Sequence, residues 1–444
     1  MRRWLFVGVV GSVMLACAAG CSQRERVPRT GSVDAGRDGS APDAALPDAP
    51  IGAVDAPPAC SATVTGTVRF PNGVQPVPSA VVYTTAGEVP APRTGECNQC
   101  IASGAALTHT ETAVDGTFTL SLSRGSRLVI EKGVFVRTLD VEVTECGATI
   151  ALDDEATRLP RNDGEGRIPR IAIGTGFYDA MQNVVAKIGL GAVDSSGWLV
   201  PGSEQFDLYD GTGDGFGSMP TLESLLRDED RLKTYDIVFI NCGSAPEDDF
   251  FGGGSILSEP AVRANLRAFV EGGGRLYVTD EAYDYVEQTF PRFIAFEEDG
   301  DLTETPEPED EAELGEDMES VDATVHDDTL RAWLESLGHA VGGTVQITGM
   351  IGGWTVIEEV DTTLGKTWVS GNVMWYGSSG FELMSDVRPL TVTFDLGCGR
   401  VLYTSYHTDD SFFGTSGTAL TAQELILAYL ILEIGKCIED PVLI

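Results

Sequence analysis

From Ala62 the chain alternates. Val64, Gly66, Val68 and Phe70 share one face of ATVTGTVRF, and Phe118, Leu120 and Leu122 share one face of TFTLSL. In RTLDVEVT, Leu139, Val141 and Val143 oppose Asp140 and Glu142. SAVVYTT reads as a further strand, with turns at Asn72-Gly73 and Asp115-Gly116. Short period-2 runs between turn signals predict an antiparallel β-sandwich over residues 59–152. After Ile168 the period changes. IPRIAIGTG, FDLYDG, YDIVFINCG and RLYVTD read as strands, several of them continuously apolar, as a sheet covered on both faces requires. YDAMQNVVAKIGL, LESLLRDEDRL, EPAVRANLRAFVEGGG and AYDYVEQTF read as helices; Met181, Val184, Val185 and Ile188 share a face of the first. This alternation predicts a doubly wound, flavodoxin-like α/β domain over 165–444. RPLTVTFDLGCGRVLYTSYHT is predicted as a hairpin and TAQELILAYLILEIGKC as a closing helix.

The first 58 residues follow neither period. Arg2 and Arg3 precede an uncharged apolar run, Trp4 to Ala16, then Ala18, Ala19, Gly20 and Cys21. That is the layout of a secretory signal peptide, too short for a span of about 20 residues. Its ending resembles a bacterial lipobox, although the usual Leu three residues before the cysteine is Ala18; Cys17 is the weaker alternative. The resemblance implies cleavage before Cys21, acylation of its thiol and a membrane anchor. Gln23, where Asp would signal inner-membrane retention, points to the outer membrane or cell surface. Residues 22–58 are Ala, Asp, Pro and Gly without an aromatic, and bury too little apolar surface to offset ordering entropy. They read as a tether; at roughly 3.1 Å per residue it reaches about 100 Å.

The formal net charge is −39, and loss of Arg2 and Arg3 with the leader makes the mature chain more acidic still. Such a charge disfavours nucleic acid and anionic lipid surfaces and suits cations and basic partners. Residues 297–328 carry 16 carboxylates and no Lys or Arg, and read as an open acidic insertion. Calcium is a possible ligand there, without a DxDxDG loop.

Cys60, Cys97, Cys100 and Cys146 fall in the β-rich part, where an oxidising compartment predicts two disulfides in an unassigned pairing. Cys398 precedes a strand over 400–405, and the helix 422–435 returns over it. Six strand residues at about 3.3 Å and fourteen helical residues at about 1.5 Å have similar lengths, which brings Cys398 and Cys437 to one sheet edge as a pair. Cys242 is left free at the carboxyl end of YDIVFINC, the edge at which open α/β sheets bind ligands. Gly174-Thr175-Gly176 lacks the third glycine of a dinucleotide fingerprint; Asp179 stands there and would repel a pyrophosphate. No GxSxG, HExxH or Walker motif occurs. His109, His326 and His339 are isolated.

Thr65-Gly66-Thr67-Val68, Asn72-Gly73, Ala80-Val81-Val82 and Val114 to Leu120 resemble a carboxypeptidase regulatory-like domain. That is a transthyretin-like module implying no peptidase; related sandwiches include carbohydrate binders. YDIVFINCG, LRAFVEGGGRLYVTD and CGRVLYTSYHT resemble the class I glutamine amidotransferase-like fold, closest to its ThuA-like branch. The whole chain, with RLPRNDGEGRIPRIAIGTG, resembles secreted bacterial lipoproteins joining the two domains, which implies no established activity. In amidotransferases the nucleophilic Cys occupies the turn after the strand matching RLYVTD. Here Asp280 or Glu281 stands there, and His407-Thr408-Asp409 stands where those enzymes carry His-x-Glu. Asp280, Glu281, His407, Asp409 and Asp410 are therefore expected on one rim, suited to a divalent metal or to sugar hydroxyls. Loss of the elbow Cys favours a non-catalytic binding or scaffold lipoprotein with a glycan or protein partner. The alternatives are a hydrolase of sugar or amide substrates using Asp280, Glu281 and His407, and calcium-dependent adhesion. Cys242 is the remaining catalytic candidate. No cofactor is expected.

Overall fold

The computed structural model of the protein describes residues 60–87, 89, 108–212, 219–244, 255–303, 305–350, 352–377, 380, 382–408 and 417–434. The expected signal peptide, Cys21, the tether, Cys97, Cys100, Asp409, Asp410 and Cys437 lie outside them.

The β-rich lobe is two sheets. One runs Thr117–Ser123, Ser61–Thr67, Thr149–Ala151, and the other Thr108–Glu111, Val81–Thr85, Arg127–Lys132, Phe135–Leu139. Val64 pairs with Leu120, and both point inward with Val68, Phe70, Phe118 and Leu122. Cys60 and Cys146 form a disulfide that closes this lobe around its first strand. Cys398 is disulfide-bonded. Two expectations change. Thr149–Ala151 runs parallel to Ser61–Thr67, so the lobe is not purely antiparallel. The strand expected to run through Val143 stops at Leu139. There the Arg124 guanidinium donates to the carbonyls of Val143 (2.9 Å) and Thr144 (2.9 Å), a side chain taking the place of a neighbouring strand.

The second part is built on one ten-stranded mixed sheet. Its order is Ala340–Val341, Thr344–Met350, Met318–Val325, Gly365–Tyr376, Leu383–Leu396, Gly399–Thr404, Arg275–Thr279, Ile237–Ile240, Ile171–Thr175, Asp207–Asp210. The last five are parallel, as the α/β alternation requires. The other five are antiparallel, so a doubly wound parallel sheet describes only half of it. The open acidic insertion is corrected too. Met318–Val325 is an interior strand burying Val321, Ala323 and Val325, with Asp322 on the other face. Glu297 is paired with Arg388 at 2.7 Å. Period 2 was present in this stretch beneath the charge.

The expected helix at 222–232 is broken into Leu222–Leu226 and Glu229–Leu232, because the Asp228 side chain accepts the Arg231 N–H (3.0 Å) and starts a new turn. The closing helix, Ala422–Ile434, is buried along nearly its whole length; it is mostly apolar, and its buried Glu424 and Glu433 are paired with Lys187 and Lys132.

The two parts pack into one compact unit, Pro57–Ile444. Phe70 stacks on Trp333 (5.9 Å), whose indole Nε1 donates to the Pro76 carbonyl (2.9 Å). The Asn72 amide donates to the Lys187 carbonyl (2.9 Å), and the Lys132 ammonium is paired with Glu433. Between the parts, buried Arg158 is clamped by Glu155 and Glu165.

Candidate functional site

Three chain segments meet at the carboxyl edge of the parallel strands. The first is the turn after Ile237–Ile240. Cys242 lies there, 1% exposed, and its N–H donates to Thr279 Oγ1 (2.9 Å). The Cys242 carbonyl comes so close to Gly176 that a Cβ there would sit 2.0 Å from its oxygen. The glycines after the first parallel strand thus serve backbone packing, and Gly174 likewise makes room for Leu222.

The second segment follows Arg275–Thr279. Asp280 takes the left-handed conformation, φ 50°, at the strand-to-helix turn. A non-glycine residue there stores roughly 1–3 kcal/mol of strain, held only because its surroundings over-determine it. Those surroundings are specific. The Thr355 N–H donates to Asp280 Oδ1 (2.8 Å), and the Tyr403 hydroxyl donates to the Asp280 carbonyl (2.9 Å). Burial pushes the Tyr403 phenol well up, so it stays a donor.

The third segment follows Gly399–Thr404. His407 Nε2 lies 2.7 Å from Asp280 Oδ2, with the imidazole 14% and the carboxylate 3% exposed. The next residue fixes this loop: Thr408 Oγ1 donates to Asp179 Oδ1 (3.0 Å), and Asp179 is fully buried beneath it. Asp179, read from the sequence as an obstacle to pyrophosphate, is a positioning residue for the histidine loop.

Asp280 Oδ2 is also 3.6 Å from Cys242 Sγ. Burial, then the Asp280, Glu281 and Asp179 charges, push the Cys242 thiol well above its ordinary range, so it is protonated and a poor nucleophile. The Cys242, Asp280 and His407 donor atoms lie within 4.8 Å of one another, a compass fit for one borderline ion. Half-buried Glu281 is raised to about 7 by burial and then by Asp280, with His407 opposing. Near neutral pH it is an acid and a base in comparable amounts.

Of the residues singled out in the sequence, the structure brings Cys242, Asp280 and His407 together, with Glu281 following Asp280 in the same turn. His326 is engaged with Ser370 (2.8 Å), and His109 and His339 are exposed. Sequence reasoning missed Thr355 and Tyr403. Tyr403 carried a signal, as a hydroxyl near the carboxyl end of the buried strand Gly399–Thr404; Thr355 carried none, because it reaches Asp280 through its backbone.

The sequence matches no family model and no curated protein. Among solved structures the chain is similar to a cytoplasmic protein from Salmonella typhimurium, at 11% identity and TM-score 0.33, covering 60% of this chain and 99% of that one. A ThuA-like protein from Parabacteroides merdae is similar at 11% identity and TM-score 0.34, covering 61% and 91%. Agd3, a carbohydrate deacetylase, is similar at 11% identity and TM-score 0.29, covering 53% of this chain and 29% of that one.

Proposed function

We propose that this protein is an exported, lipid-tethered hydrolase of uncharged esters or amides carried on surface glycans or peptides. The β-rich lobe, a carboxypeptidase regulatory-like sandwich in this reading, acts as its spacer. One observation carries the proposal: Asp280 Oδ2 holds His407 Nε2 at 2.7 Å beside Glu281, whose carboxyl is raised to about 7. A carboxylate on one imidazole nitrogen fixes the tautomer and leaves Nδ1 as the basic atom. In the proposed reaction Nδ1 takes a proton from water, and the water oxygen adds to the substrate carbonyl. Protonated Glu281 gives its proton to the leaving oxygen or nitrogen, so protons and charge balance. Asp280 and Glu281 together disfavour anionic substrates.

A second reading, binding without turnover, is favoured by Asp280 itself. Both its oxygens are engaged and it is 2% exposed, so the elbow offers no nucleophile. Turnover of a panel of chromogenic acetyl esters and amides separates the two. Catalysis predicts a loss of about 100-fold in kcat/KM for His407→Ala, in line with a general base. Equal background rates in wild type and variant, with glycan binding retained, would establish binding alone. The anchor is tested separately, by metabolic labelling with a fatty acid in wild type and Cys21→Ala.

A further inference from the structure

The proposed reaction uses Asp280 and His407 and leaves Cys242 idle. These three residues follow the ends of three neighbouring parallel strands, Ile237–Ile240, Arg275–Thr279 and Gly399–Thr404, whose registers set the three turns side by side. Asp280 Oδ2 lies 3.6 Å from Cys242 Sγ and 2.7 Å from His407 Nε2, and all three donor atoms lie within 4.8 Å of one another. Each is held by its surroundings. The Thr355 N–H fixes the other Asp280 oxygen (2.8 Å), the Cys242 N–H is held on Thr279 Oγ1 (2.9 Å), and Thr408 ties the histidine loop to Asp179 (3.0 Å). Cys242 and Asp280 are buried, so the partly exposed imidazole marks the side from which a small ion enters.

Zinc bonds of about 2.0–2.2 Å to nitrogen and oxygen and about 2.3 Å to sulfur give a tetrahedron with edges of roughly 3.3–3.6 Å. The edge from Cys242 to Asp280 already has that length. The edge from Asp280 to His407 must open by roughly 0.6 Å, and the imidazole is the most exposed of the three groups. We propose that Cys242 Sγ, Asp280 Oδ2 and His407 Nε2 bind one zinc ion, and that this ion switches turnover off. Sulfur, nitrogen and carboxylate oxygen together select a borderline ion; calcium and magnesium take oxygen ligands. On ligation the Cys242 S–H bond breaks and its proton goes to solvent, so that thiolate and carboxylate together balance the dication. A neutral ring that gives its Nε2 lone pair to the ion carries its proton on Nδ1, which then cannot act as the base. That block rests on the hydrolase reading; the ion site does not.

The test titrates the mature chain, stripped with EDTA and dialysed, with cobalt chloride as a coloured stand-in for zinc. One equivalent is expected to raise a thiolate-to-cobalt charge-transfer band, and zinc chloride to abolish it by competition. Cys242→Ser is expected to lose the band and to bind zinc at least 10–100-fold more weakly, the range that losing a mere supporting partner of a ligand costs. If that variant fails to fold, His407→Gln, at the most exposed of the three positions, is expected to show the same loss of zinc affinity. No band in wild type would overturn the site. A band kept in full by Cys242→Ser, or zinc affinity kept in full by His407→Gln, would also overturn it, by placing the metal elsewhere. Displacement of cobalt by equimolar calcium or magnesium would overturn the assignment to a borderline ion. Turnover of the acetyl ester panel is then read with one equivalent of zinc, which should abolish it until EDTA is added. Undiminished turnover with zinc bound would overturn the block. A stripped chain without turnover would overturn the hydrolase reading and the block with it, whereas the ion site stands or falls on the band and the zinc affinities.

Discussion

Asp280 reaches His407 across two parallel strands, Arg275–Thr279 and Gly399–Thr404, whose pairing puts Thr279 beside Thr404 and so brings the two following turns together. A proton on Nε2 would let the neutral ring donate to that carboxylate. Nitrogen-15 spectra of the ring should show that single tautomer in wild type. Asp280→Asn should mix the two tautomers, and an unchanged spectrum would count against the contact.

Cys242 should resist alkylation in the folded protein at pH 8 and react freely after unfolding, because burial and neighbouring carboxylates hold its proton. Cys242→Ser should keep turnover within a few-fold. Rapid native-state labelling that His407→Ala slows would instead reveal an activated thiolate.

Trp333 connects the two parts through Phe70, Pro76 and Tyr429. Trp333→Ala should cost about 3–5 kcal/mol, as large aromatic deletions in cores do. Urea unfolding should then split into two transitions as the lobes uncouple; one cooperative transition near the wild-type midpoint would show that the junction does not depend on the indole.

Lys187 Nζ meets Glu424 Oε1 at 2.6 Å, with both side chains 0% exposed. Lys187→Met alone strands a buried carboxylate and should cost about 3–5 kcal/mol, whereas Lys187→Met with Glu424→Leu should recover most of that. Four-way denaturation data measure the coupling, and additive losses would argue against a true ion pair.

Glu165 is held at about 2, well below its ordinary value, chiefly by two hydrogen bonds from Arg158 (2.6 and 2.7 Å). Its folded pKa lies below the unfolded one, so its contribution is full above about pH 4.3 and is lost as pH falls toward 2. The urea midpoint of wild type should therefore fall through that window more steeply than that of Glu165→Gln. Parallel curves would assign the acid sensitivity to other groups.

Local order was legible in the chain because it is local physics. Alternating Val64, Val68 and Phe70, the continuous run Ile237–Ile240 and the Met181–Ile188 stripe each needed only a period to be read. The sequence likewise determined which residues end the parallel strands, and so put Cys242, Asp280 and His407 on one edge. What it did not determine depends on contacts across 75 residues or more. Thr355 reaches Asp280 through a backbone N–H that any residue supplies, and the clamp of Asp179 on Thr408 spans 229 positions. The hairpin around Leu396–Gly399 was read from the sequence, but Met318–Val325 was not, because period 2 under a cover of carboxylates resembles solvated chain until a neighbouring strand satisfies its backbone groups. Tertiary structure also decided the state of the charges. Composition counts Asp284 and Glu281 as two more negative charges, and only burial beside other carboxylates pushes both carboxyls upward, Glu281 to about 7.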